Sequence, residues 1–303
     1  MFFDLQSFIA LSQKTNLTSQ KKLLLLKLRT HFEKNIDLLQ KLYDYSLVAY
    51  CANAYLNQSI KKEGLQKHKA IIKALTNPSY KKEKIPVGGL NNAFLALKFI
   101  KNYEILEHIN EAHPQSKMGF RASFIYDKKR KNYILAFAGS DLNPLCFDFK
   151  DFYSDFLILL NKTPKGQIQS MQYFYNQLKQ KYTIDKNLII IGHSLGGYLA
   201  QAFTRTFPSA AKEVYAFQAP GLNQNFQNLS YINFHINTTH NLSFKTYKWW
   251  NFNFVQKLYK KDSKEILLHT GSIKHHPSVC IYKLHELFKI LNPQGLRINA
   301  NLH

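Results

Sequence analysis

The stretch NLIIIGHSLGGYLAQAF, Asn187 to Phe203, decides the reading of this chain. A short run of mostly β-branched residues, Leu188 to Ile191, ends at Gly192. Ser194 follows two residues later, with Gly196 two residues beyond it, and a helix-like segment begins at once. Gly192-His193-Ser194-Leu195-Gly196 fits the pattern G-x-S-x-G. Holding a serine at the tip of a sharp strand-to-helix turn strains its backbone and brings the residues two before and two after too close for side chains. The helix start then aims N–H groups at the serine, where an oxyanion would develop. Ser194 is therefore the candidate nucleophile.

Working outward, residues from about Ser19 to Ser59 carry apolar side chains at three and four spacing and predict helix, as do residues from about Asn91 to Ala112. The lysine-rich stretches between them, broken by Pro and Gly, read as solvated loops. After Pro114 the pattern changes. Strands are expected at about 119–126 and 133–138, joined by the charged turn DKKRKN, then a helix at about 167–181 and the strand before Ser194. The helix after Ser194 should end near Pro208. Further strands are expected from Val214 and Tyr231, and a last helix at about 277–291. Strands alternating with helices predict an α/β fold, with a mainly parallel sheet covered on both faces. The division expected is a helical region over 1–115 packed on a core over 116–303, with an aromatic and basic insertion at about 243–262.

The chain has 303 residues, 45% of them apolar, enough for a substantial core. No apolar run is long enough to cross a bilayer, and the start lacks the marks of a secretory signal. A cytoplasmic or peripheral membrane location is expected, with secretion without a cleaved signal left open. Cys51, Cys146 and Cys280 have no paired spacing and read as small buried hydrophobes, not a disulfide framework or metal site. Net charge is +22, 41 basic residues against 19 acidic, with lysine predominating. An anionic membrane surface is the partner this suggests. Nucleic acid is not expected, because no zinc-finger spacing, RNP-type aromatic pair or Gly-rich clamp is present.

The elbow, with Phe137-Ala138-Gly139-Ser140 and Asp151-Phe152-Tyr153-Ser154-Asp155 before it and Ala216 to Gly221 after it, resembles the class 3 lipase family of the α/β-hydrolase superfold. The likeness covers about Met118 to Tyr282, and reaches the N-terminal helices only through the run SLVAYCANAY. It implies an ester hydrolase without cofactor or metal. It implies an oxyanion hole from the backbone N–H of Leu195 and from Ser140. Asp151 and Asp155 would be structural, Asp155 bracing the loop that carries Ser140. Ala138 departs from the family's Arg and removes a cation that would have pinned that loop.

The resemblance also implies a general base after the last strand. His269, His275, His276 and His285 lie there. His276 is favoured, with Tyr282 six residues on, and His275 is its alternative. The acid that should orient the base is missing from its place: no Asp or Glu occurs between Glu213 and Asp262. Three readings stay open. Asn241, or by weaker alignment Asn237 or His240, orients the imidazole through a neutral acceptor. Alternatively Asp262, or less well Glu265, folds back to supply the charge. In the third reading the site is degraded and the protein binds lipid or a protein partner without hydrolysing it.

The stretch Phe244 to Lys261 alternates aromatics with lysines and holds Trp249, Trp250, Phe252 and Phe254. Rings of this kind settle at a membrane interface while lysines meet anionic headgroups. These four are the candidate interfacial or lid residues, with Asn143 to Tyr153 a second lid candidate. Their alternative place is in the core.

Overall fold

The structure, a computed structural model, describes residues 2–54, 56–76, 79–80, 85–86, 92–110, 120–139, 164–184, 188–217, 219, 252–258, 263–269 and 277–292. In chain order the elements are β1 (Phe2–Asp4), α1 (Leu5–Ser12), α2 (Ser19–Lys34), α3 (Ile36–Cys51), α4 (Asn57–Ile60), α5 (Gly64–Thr76), β2 (Ser79–Tyr80), β3 (Ile85–Pro86), α6 (Ala93–Asn102), β4 (Tyr103–Asn110), β5 (Arg121–Asp127) and β6 (Asn132–Phe137). Then follow α7 (Lys165–Lys181), β7 (Leu188–His193), α8 (Leu195–Thr206), β8 (Ala211–Phe217), β9 (Phe252–Leu258), β10 (Ser263–His269) and α9 (Pro277–Leu291).

Eight strands form one sheet in the order β1-β10-β9-β8-β7-β6-β5-β4, and β2 with β3 makes a separate hairpin. β7 lies inside the sheet and every residue in it is buried. Because side chains alternate across a strand, its residues divide between two cores. Ile189 and Ile191 join Ile134, Ala136, Tyr215 and Phe217 under α3 and α9. Leu188 and Ile190 join Leu135, Phe137 and Val214 under α7 and α8. Helices thus cover both faces, as expected for an α/β fold.

The sheet is mixed, not mainly parallel. β6, β7 and β8 run parallel, as does β1 with β10. The pairs β4–β5, β5–β6, β8–β9 and β9–β10 are antiparallel. For β5–β6 and β9–β10 the reason is connection length, since four residues leave no room for a crossover. In the first of these turns Asp127 accepts the N–H groups of Lys129 and Arg130. Arg130 reaches Asp127 at 3.2 Å and Asp44 of α3 at 2.7 Å, so the hairpin is tied to the helix layer.

Three local expectations change. The long first helix is three helices, interrupted after Cys51 and broken at Asn35, whose amide donates to the His31 carbonyl and whose N–H bonds Phe32. The helix expected to Ala112 stops at Asn102, and β4 follows, with Tyr103 and Ile105 buried on the period of a strand and a bulge between Ile105 and Glu107. The aromatic and basic stretch contains β9, a strand of the main sheet, over Phe252–Leu258. The strand expected from Tyr231 lies outside the described residues. Both edge strands, β1 and β4, come from the first 110 residues. Among the described residues no helix is long and apolar enough to cross a membrane.

Candidate active site

Ser194 sits between β7 and α8 with φ 54° and ψ −121°, a region that non-glycine residues rarely occupy. Three glycines make this possible. A Cβ on Gly192 would stand 2.0 Å from the Gly196 carbonyl oxygen, one on Gly196 would stand 2.2 Å from the Phe137 oxygen, and one on Gly197 would meet the Ala219 methyl at 2.5 Å. The turn is pinned by the Ser194 N–H on the Phe217 oxygen at 3.0 Å. Ser194 is partly exposed and its side chain does not cap α8, so the hydroxyl is not used to close the helix. The first intrahelical bond runs from the Tyr198 N–H to the Ser194 oxygen. The N–H groups of Leu195, Gly196 and Gly197 come before it, where the helix dipole is positive.

Gly139 closes the other side. A Cβ placed on it would lie 3.5 Å from the Ser194 Cβ and 2.7 Å from the His193 oxygen. Its N–H donates to the Asn53 Oδ1 at 2.8 Å. Arg121 donates from Nη1 to the Asn53 backbone oxygen at 3.1 Å and from Nη2 to the Gly139 oxygen at 3.5 Å. The guanidinium that Ala138 does not supply therefore comes from the neighbouring strand, where the Ala138 N–H bonds the Arg121 oxygen. Sequence reasoning missed Asn53 and Arg121. The available signals were the unexplained Ala138 and the small-residue run around Asn53.

Ser140, Asn237, His240, Asn241, Trp249, Trp250, Asp262, His275 and His276 lie outside the described residues, as do Asp151 and Asp155. Register relates the described strands to the level of Ser194. Gly192 is level with Ala216 and Gln256, and His193 with Phe217 and Val255. β9 and β10 continue past that level through Phe254 with Leu267 to Phe252 with His269. At about 3.3 Å per residue this is an overhang of roughly 10 Å on the edge where Ser194 stands. β10 runs in the same direction as β7 and ends at His269 on that edge. At the opposite edge Ser263 pairs with Leu258, which is level with Val214.

His285 packs in the helix layer, 6.2 Å from the Tyr43 ring and 6.3 Å from Phe94, and burial lowers its pKa. A Ser–His contact elsewhere in the fold is structural. His108 Nδ1 lies 2.8 Å from the Ser123 Oγ, and Nε2 accepts the Leu56 N–H at 3.5 Å. With Nε2 accepting, Nδ1 carries the proton and donates to Ser123, so this imidazole is not a base for that hydroxyl. Burial, with the Arg121 charge added, lowers its pKa to about 3. Cys51 is buried, and burial raises its thiol pKa.

Residues 96–241 match the model of the Mbeg1-like family, a lipase-like family. Among solved structures the chain is similar to lipase II from Rhizopus niveus, with 14% identity and a TM-score of 0.30 over 59% of this chain. It spans 61% of the length of that lipase. No curated protein matches.

Proposed function

We propose that the protein is a lipid carboxyl-ester hydrolase, a lipase or phospholipase, with Ser194 as nucleophile. The observation that carries the reading is the strained, partly exposed serine on a glycine-lined turn at the start of a helix. In this mechanism Ser194 Oγ attacks the ester carbonyl carbon while His276, or His275, takes its proton. The N–H groups of Leu195 and Ser140 hold the tetrahedral oxyanion. The imidazolium returns the proton to the leaving alcohol. Water then cleaves the acyl-enzyme by the same steps in reverse order. Asn241 serves as the neutral acceptor that orients the imidazole.

Phospholipid or lysophospholipid is preferred over triacylglycerol because of the basic surface. Support comes from α2, where Leu23, Leu24 and Leu26 are 54%, 45% and 60% exposed among Lys21, Lys22, Lys27 and Arg29. Leucines that stay in water beside lysines suit an anionic headgroup layer. Trp249, Trp250, Phe252 and Phe254 belong to the same proposed contact, and the overhang of β9 puts its first residues on the elbow edge.

The missing acid between Glu213 and Asp262 favours a second reading, a degraded lipase-like protein that binds lipid or a protein partner. A fluorophosphonate probe separates the two. Labelling of the wild type that disappears in Ser194→Ala supports the hydrolase. A wild type that stays unlabelled under conditions where it is folded supports the binding protein.

A further inference from the structure

We propose that Asn53 and Arg121 are positioning residues that set the oxyanion-binding side of the Ser194 site by fixing the backbone of Gly139. The inference rests on the hydrolase reading and adds to it the parts that hold the hole in shape.

Asn53 and Arg121 are 8% and 6% exposed, and with Gly139 they close a ring of three hydrogen bonds. The strongest link by distance is Gly139 N–H to Asn53 Oδ1 at 2.8 Å. The weakest is Arg121 Nη2 to the Gly139 oxygen at 3.5 Å. Two consequences follow from the chemistry. First, the Gly139 N–H is already taken by Asn53, so it is not the amide that meets an oxyanion. Second, a trans peptide points its N–H opposite to its carbonyl. The Gly139 carbonyl is turned toward the guanidinium, so Arg121 fixes which way that carbonyl points. A flipped peptide here would present a carbonyl oxygen to the developing negative charge, which repels it.

The ring also explains why Gly139 can sit so close to the elbow. Its Cα stands where a methyl would meet the His193 oxygen at 2.7 Å, so the loop after β6 needs something to hold it there. Packing cannot do this for a residue without a side chain, and Asn53 does it through the backbone. Asn53 is itself placed by the turn that ends α3, where its N–H bonds the Tyr50 oxygen. The turn after α3 thereby reaches the site through the side-chain amide and the backbone carbonyl of Asn53.

The test uses wild type, Asn53→Leu, Asn53→Asp and Arg121→Lys, each measured for fluorophosphonate labelling rate, kcat and KM on a soluble short-chain ester, and melting temperature. Leucine matches the volume and removes the acceptor, while aspartate keeps it. Asn53→Leu should lower kcat and labelling by about ten- to a hundred-fold with KM little changed. Asn53→Asp should restore most of both. A lysine cannot hold two oxygens in one planar fork, so Arg121→Lys should lower kcat roughly ten-fold at an unchanged melting temperature. A labelling wild type with an Asn53→Leu variant within two-fold of it overturns this proposal alone. So does an aspartate variant as impaired as the leucine one. Should Asn53→Leu fail to fold, an Arg121→Lys variant with unchanged kcat overturns it instead. A wild type that neither labels nor turns over overturns the hydrolase reading and this proposal together.

Discussion

At the scale of single residues, the elbow trades backbone strain for exposure of one hydroxyl. A non-glycine residue at φ 54° and ψ −121° costs of order 1–3 kcal/mol, and the turn must be held closed from outside. The closeness of Gly196 to the Phe137 oxygen does that only while Gly196 has no side chain. Gly196→Ala should therefore lower stability by about 2 kcal/mol or more in urea titration and abolish probe labelling. A variant as stable as wild type would mean that the strand and the helix do not approach this closely. His108 makes a different prediction. Its folded pKa of about 3 lies below the usual histidine value, so the unfolded chain binds the extra proton. Above about pH 6.5 this has no effect; as pH falls from there toward 3, stability declines by up to about 1.4 kcal/mol per pH unit. Urea midpoints taken from pH 7 to pH 4 should fall less steeply in His108→Gln than in wild type. Arg121 and Ser123 are the groups that face the imidazole, and neither supplies a negative charge to offset protonation.

Among the elements, β7 is buried along its whole length and contributes to both cores. Ile190 is fully buried between Leu135 and Val214 on the α7 and α8 side. Ile190→Ala should cost about 2–5 kcal/mol by loss of contacts and an unfilled cavity, read as a lowered urea midpoint. Exposed α2 should behave in the opposite way. Replacing Leu23 and Leu26 by Ser should leave the melting temperature nearly unchanged and weaken binding to phosphatidylserine-containing vesicles several-fold. Unaltered vesicle binding would remove α2 from the proposed contact. The same contrast explains what the sequence could reveal. The strand, turn and helix around Ser194 are contiguous, and their signals of β-branching, glycine spacing and helix start are local. β4 was hidden because it follows α6 without a gap, so the helical spacing of Phe94 to Ile100 ran on into Tyr103 and Ile105. Strand direction depends on pairings between distant segments, which is why a mainly parallel sheet was expected and a mixed one was found. The ring around Gly139 joins positions 53, 121 and 139, and no spacing rule links them.

For the molecule as a whole, the charge of +22 is a property of the surface. Each lysine near an anionic bilayer contributes about 1 kcal/mol, and the attraction fades within about 10 Å at 0.1 M salt. Association with vesicles containing a third phosphatidylserine should therefore weaken steeply between 50 and 500 mM salt, as read by cosedimentation, and be weak on neutral phosphatidylcholine. Equal binding to both vesicle types would mean that the positive surface has another role. The sheet itself adds a constraint of order in time. Phe2, Phe3 and Asp4 of β1 pair with Leu267, Leu268 and His269 of β10, across some of the longest sequence separations in the fold. Loops of that length close slowly. On the ribosome β1 emerges before β10 exists, so the pairing of Phe2–Asp4 with Leu267–His269 waits for synthesis of all the segments between them.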